Sequence, residues 1–512
     1  MTRNLRLVLL VAILASFVAF LDSSVVNVAL PAIRRDLGGG LAVQQWIVDA
    51  YLLSLGSFIL VAGSLSDQFG RKRILAAGLI GFLVSSLACA VTPNAAVLIG
   101  ARFVQGVGGA LIVPSSLALI MSNFRGDAEG RAIGTWTAWT GISSVVGPLV
   151  GGVLVDSLSW RWIFAINVLP VVLTLILILL LEPEQHQAHG RVDWLGALLC
   201  ALGLGGPVFA LIEQPSRGWR DPLIWAPLAA GLIVLALFLW WERRTSHPML
   251  DLGLFRRRTF SVGNVATFAI YGGLSALTFA LVLFLQQVAG WSALAAGLAF
   301  LPVTIVMFLL SSRFGALAGR LGPRLFMGGG PLLSAAGFLL LLRVGPHPSY
   351  WIDVLPSVLL FALGLALTVA PLTTAILGDV PPAESGIASA VNNAVSRVAG
   401  LIAVAFVGAI IAAAFTTSLT AHIGGEQGSA RERAAAASAA PLVTAPPPGL
   451  RDDGRYREAL LGAGVDGFHA AVVTVVALLA AGGAISLVGI RNPPRRRPPR
   501  RDLSDSCHDE GP

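Results

Sequence analysis

Apolar runs of about 20 residues, each closed by a short polar turn, follow one another along most of this chain. A helix needs about that length to cross the hydrocarbon of a bilayer. The pattern predicts helices over 7–31, 45–64, 74–91, 97–121, 131–155, 161–181, 193–212, 223–241, 260–288, 293–313, 325–343, 351–378, 387–416 and 468–490. The run 193–212 is the most interrupted, by Gly203, Gly205, Gly206 and Pro207. The first run is too long for a signal peptide and lacks a small-residue cleavage site before Asp22, so it reads as a retained helix.

The turns carry a repeat. Gly63-Ser64-Leu65-Ser66-Asp67-Gln68-Phe69-Gly70-Arg71-Lys72-Arg73 returns 252 positions later, more weakly, as Gly315-Ala316-Leu317-Ala318-Gly319-Arg320-Leu321-Gly322-Pro323-Arg324. Glu129-Gly130-Arg131 and Glu384-Ser385-Gly386 open two later runs 255 positions apart, and Val113-Pro114 and Ala370-Pro371 sit in the runs before them. The first six spans therefore match the last six, with the pair at 193–241 inserted between them. The expected organisation is all-α and integral to the membrane. It comprises a six-helix bundle over 1–182, two linker helices within 183–250, a second six-helix bundle over 251–491 with a long flexible loop at 417–467, and a disordered tail at 492–512. Two related halves that rock about a central site are a common plan of secondary transporters.

Composition agrees and removes alternatives. The chain of 512 residues is 55% hydrophobic and only 12% charged, whereas a soluble domain is about 25% charged. The formal charge of +8 comes from arginines in the turns, a topology signal that does not point to nucleic acid. Arginine and lysine concentrate in alternate turns and the final tail, which places both termini in the cytoplasm of a plasma (inner) membrane. Cys89, Cys200 and Cys507 have no metal or disulfide spacing, so no metal is expected. The chain has no GxxxxGK[ST] motif for ATP and no catalytic constellation, so neither an enzyme nor a nucleotide-driven pump is expected.

The chemistry lies in polar residues inside the apolar runs. Asp22 falls mid-run, where a charge costs about 3 kcal/mol on insertion scales, so it must face a cavity or a partner. A carboxyl held out of water can exchange a proton near neutral pH. Asp49, beside Trp46, either faces a cavity or marks the interface. Arg102, with Gln105 and the following glycines, reads as a packed interior site able to bias those acids, or as a base reaching for the headgroups. Asp67 in the Gly63–Gly70 turn, with Arg71 and Lys72, can latch one mouth of the bundle, with Arg131 as partner. Gly134, Gly147, Pro148, Gly151 and Gly152 form a small-residue face in the fifth span that permits close helix approach. Asn27, Trp46, Gln105, Asn392, Asn393 and Arg397 are candidate cavity residues.

Taken together these residues resemble the major facilitator superfamily, and within it the fourteen-helix drug:proton antiporters, over about residues 1–490. Gly63 to Arg73 is similar to the loop signature between the second and third helices. Arg102 to Ala110 resembles the fourth-helix signature, whose arginine the family links to proton coupling. Gly134 with Gly147-Pro148 and Gly151-Gly152 resembles the antiporter signature, and Leu21 to Pro31 the first-helix signature. Trp160 to Phe164 with Asn167 and Pro170, and Pro381 through Gly400, also look like that group. Ser143, Ser24 and Gly319 depart from the signatures, which often have glycine, threonine and an acid there. The resemblance implies a cofactor-free exporter driven by the proton motive force, moving hydrophobic or cationic small molecules by alternating access; a monomer is the expected state, on no residue pattern of its own. A proton symporter importing a nutrient, or a transport-dead receptor, are the competing readings.

Overall fold

The structure is a computed structural model in which residues 3–125, 127–182, 192–378, 380, 385–423, 441–442, 453–490 and 492 are described. Fourteen helices among them are long and apolar enough to cross a membrane. They are α1 (Arg3–Leu37), α2 (Leu41–Phe69), α3 (Arg71–Ala90), α4 (Ala95–Asn123), α5 (Asp127–Ser157), α6 (Trp162–Leu179), α7 (Trp194–Arg217), α8 (Pro222–Glu242), α9 (Arg258–Val288), α10 (Ala293–Leu321), α11 (Arg324–Arg343), α12 (Leu355–Gly378), α13 (Ser385–Ile423) and α14 (Gly454–Gly489). The interrupted run at 193–212 forms one continuous helix. Among the described residues there is no strand. In hydrocarbon every backbone polar group must be satisfied within its own segment, and a helix does that.

The two halves pack alike. In the first, α1 lies against α5 and α6, α2 against α4, and α3 against α4 and α6. In the second, α9 lies against α13 and α14, α10 against α12, and α11 against α12 and α14. Between the halves, α2 meets α13 and α5 meets α10, a pairing that the same pseudo-symmetry requires. The inserted α7 and α8 pack on each other, and α7 also touches α2 and α13. On α8, Leu232, Ile233, Leu237 and Trp240 are exposed, as lipid-facing residues would be.

Two of the predicted boundaries need correcting. Helix α13 continues to Ile423, and α14 begins at Gly454, well inside the segment read as a flexible loop. Asp453 caps α14 by accepting from Tyr456 N at 3.0 Å. Phe415, Leu419 and Ile423 recur at helical spacing and bury themselves against Tyr456, Ala459, Leu460 and Ala463. Ser418 Oγ donates to Asp466 Oδ2 at 2.5 Å across the pair. The two helices thus form an apolar-seamed stalk where hydropathy alone shows a polar loop. The middle of the predicted loop, 424–440 and 443–452, and the tail beyond 492 lie outside the described residues.

Candidate functional site

Five helices of the first half converge on Asp22. Arg102 Nη1 lies 2.5 Å from Asp22 Oδ2. Gln105 Nε2 and Asn167 Nδ2 each donate to Asp22 Oδ1 at 2.9 Å. The same two amides donate to Ser86 Oγ at 2.8 and 3.3 Å. Arg102 also donates from Nη1 to Gln105 Oε1 at 2.7 Å and from Nε to the Ile47 carbonyl at 3.1 Å. Its guanidinium carbon sits 4.3 Å from the centre of the Tyr51 ring. Asp22 is 0% exposed and Arg102 1%. Of the two options open for each in the sequence, Asp22 has a partner rather than a cavity, and Arg102 is packed rather than reaching for headgroups. A buried pair is tolerable only when its other lone pairs and protons are also bonded, and both carboxylate oxygens are.

Asp49 stands in contrast. It is 0% exposed, and neither carboxyl oxygen has a hydrogen-bond partner. It lies on α2, the helix that meets α13 across the halves. One turn earlier, Gln45 Nε2 donates to the Val404 and Ala405 carbonyls of α13 at 3.1 and 3.2 Å. Trp46 turns to the inserted helices, where its Nε1 donates to Glu213 at 3.0 Å and its ring meets Phe209. Asn27 is half-buried and makes no hydrogen bond among the described residues.

The glycine face of α5 serves two neighbours. Gly147 and Gly151 lie against Ser24 and Val25 of α1, while Gly152 lies against Leu294 of α10. A Cβ on Gly152 would sit 2.5 Å from Leu294 Cα, so glycine is required for that approach. Pro148 is buried in the same contact, against Gly297. Near the end of α5, Asp156 accepts from Ala293 N at 3.1 Å and from Leu294 N at 2.8 Å. That carboxylate caps a helix of the opposite half, a role invisible in sequence because an acid at a span end is ordinary. At the other end of α5, Gly134 has open space beside it and Arg131 is exposed.

Helix α2 runs on through the segment read as a turn as far as Phe69, so that Gly63 lies within the helix, with open space beside it. Gly70 takes φ 96° and ψ 134°, and Gly322, its repeat partner, takes φ 92° and ψ 150°. Only glycine enters that region readily. The side chain of Asp67 lies outside the described residues. Arg71 and Lys72 are described at the start of α3, and Arg131 forms no ion pair with a described residue.

In the second half Asn392 Nδ2 donates to Asn264 and Thr267 of α9 at 3.2 and 2.7 Å, which ties α13 to α9. Asn393 bonds back to the Ser389 carbonyl. Arg397 points to the other half, its guanidinium carbon 4.9 Å from the centre of the Phe20 ring. Ser86 is the site residue that sequence reading missed, because a serine in a span carries no signal of its own. Asn167 carried one only through its place after Trp160-Arg161-Trp162.

The Major Facilitator Superfamily profile matches residues 12–404. The multidrug resistance protein Stp of Mycobacterium tuberculosis (strain CDC 1551 / Oshkosh) is 36% identical over 429 residues, 83% of this chain and 79% of that protein. The methylenomycin A resistance protein of Bacillus subtilis (strain 168) is 36% identical over 411 residues, 79% of this chain and 87% of that protein. Among solved structures, a bacterial homolog to the human lysosomal transporter Spinster, inward-facing and unoccupied, aligns with a TM-score of 0.66 at 16% identity. That alignment covers 96% of this chain and 97% of the other, and it speaks to fold alone.

Proposed function

The chain belongs to the major facilitator superfamily, and on that premise we propose that it exports small organic compounds in exchange for protons. The relatives named for resistance to multiple drugs and to methylenomycin A support the direction and the cargo. The antiporter-type glycine face of α5 supports exchange rather than symport. The face that carries the termini is cytoplasmic, the cell membrane is the site, and the monomer is the working unit. No cofactor is needed beyond the proton motive force. One charge crossing 100 mV contributes about 2.3 kcal/mol, which sustains roughly a fifty-fold gradient.

The observation that carries proton coupling is Asp49, a sealed carboxyl without a partner on the seam between the halves. An unpaired carboxylate in that setting is far costlier than the neutral acid, so Asp49 holds its proton in this state. Water reaching the seam in the other state would let it ionise. Asp22 and Arg102 form a fixed charge pair within the first half, and Tyr51 on α2 packs on that pair. The structure is read as the state closed on the face opposite the termini, where Asp156 and Gly152 join α5 to α10.

Inverted membrane vesicles test this reading. Ethidium and other export substrates should enter with the imposed proton gradient and stop when it is collapsed. Asp49→Asn should accumulate normally and abolish substrate-driven proton release. Full proton exchange in that variant would remove Asp49 from the mechanism, and uphill transport without any gradient would end the coupling proposal.

A further inference from the structure

Arg397 is a cation without a counterion. It lies on α13, its Nε is sealed from solvent, and that nitrogen has no hydrogen-bond partner among the described residues. No described carboxylate comes within ion-pair distance of it. Arg102, a fully buried arginine, is by contrast matched by Asp22 and two further acceptors. Arg397 has only the face of Phe20 from α1. A ring face replaces part of the lost hydration of a guanidinium, and its fork of donors stays unfilled. Two phenols, those of Tyr51 and Tyr271, lie within electrostatic reach. Tyr51 donates to the Ala19 carbonyl, whereas Tyr271 has no hydrogen bond among the described residues. On α2, Gly56 packs against this turn of α13: a Cβ there would stand 3.6 Å from the arginine Cβ. The unmatched charge therefore sits where the two halves meet, against an aromatic wall.

We propose that Arg397 is the oxyanion-binding group of the cargo site, and that the exported compounds include apolar molecules bearing a carboxylate. The inference rests on the export reading above and gives the cargo a sign opposite to that expected from the acids alone. A carboxylate fills a guanidinium fork with two parallel hydrogen bonds. The apolar body of such a compound would lie along Phe20. A cation at the same place would meet repulsion from a charge that nothing neutralises.

The test measures binding to purified full-length protein in detergent, with no gradient present. The probes are pyrenebutyrate and anthroate, each beside its methyl ester. Wild-type protein should bind each carboxylate at least about tenfold more tightly than its ester. Arg397→Gln and Arg397→Met should abolish that preference. Arg397→Lys keeps the charge without the fork, so the preference should persist at several-fold lower strength. If neither neutral variant accumulates, Arg397→Lys decides: an unaltered preference there overturns the proposal. Equal wild-type affinity for acid and ester overturns it, as does binding of no carboxylate, or a preference that survives Arg397→Gln. An Arg397-dependent carboxylate site in a protein that moves nothing in proteoliposomes would instead defeat the export reading, and with it the statement about exported compounds, while leaving Arg397 as a carboxylate-binding group. Proton-driven export of the esters with no Arg397-dependent carboxylate preference would do the reverse.

Discussion

Arg102 and Asp22 meet at 2.5 Å with both residues closed to solvent, and every oxygen of the acid is bonded. Removing one partner leaves the other charged and stranded, at a cost of about 3–5 kcal/mol. Asp22→Asn and Arg102→Gln should each lower thermal stability in detergent. The double variant should be less destabilised than the sum of the two by at least about 1 kcal/mol. Additive losses would show that the pair is not coupled.

The bend at Gly70 and its counterpart at Gly322 lead to a second expectation. Gly70→Ala and Gly322→Ala force a side chain into a backbone region it avoids, at about 1–3 kcal/mol each. Gly329, within α11 and with open space where a Cβ would go, is the control. Gly329→Ala should change stability by no more than about 1 kcal/mol. Equal melting temperatures for all three variants would contradict the backbone argument.

Asp156 holds the start of α10 through two charge-assisted bonds, each worth about 1.5–3 kcal/mol. Asp156→Ala should shift the population towards opening on the face opposite the termini. Spin labels at Leu158→Cys and Ala295→Cys, in a Cys507→Ser background, would measure it. A larger long-distance fraction is expected in Asp156→Ala, and an identical distance distribution would dismiss the clasp.

The stalk beyond the bilayer should be sensitive at its apolar seam. Phe415 is fully buried there, and Phe415→Ala removes about 3–5 kcal/mol of packing. Arg455 and Arg457 lie in the first turns of α14 and are natural trypsin sites. Cleavage after them should be slow in the native protein and faster in Phe415→Ala. Equal rates would mean that the two helices do not support each other.

The spans were legible because lipid imposes one demand, a long apolar helix, and leaves few other solutions. Asp22, Arg102 and Gln105 were legible for the converse reason: polar groups in such runs need partners. Ser86 was not, since a serine can satisfy itself on its own helix and so leaves no trace of a tertiary role. Trp46 was read as a cavity residue from its place beside Asp49, but its indole nitrogen is bonded to Glu213 on an inserted helix. The early start of α14 escaped because Arg455, Arg457 and Glu458 dilute its hydropathy, though Asp453 is an ordinary N-cap signal.

The seam joining Phe415, Leu419 and Ile423 to Tyr456 and Leu460 has a consequence for how this molecule can move. A hairpin stitched together above the lipid has no freedom to change its registration within it. Helix α13, which borders the seam with α2, and α14, which packs behind it, must then turn as one lever. An antibody fragment seated on the stalk would follow that turning from the far side of the membrane, without touching the path of the cargo.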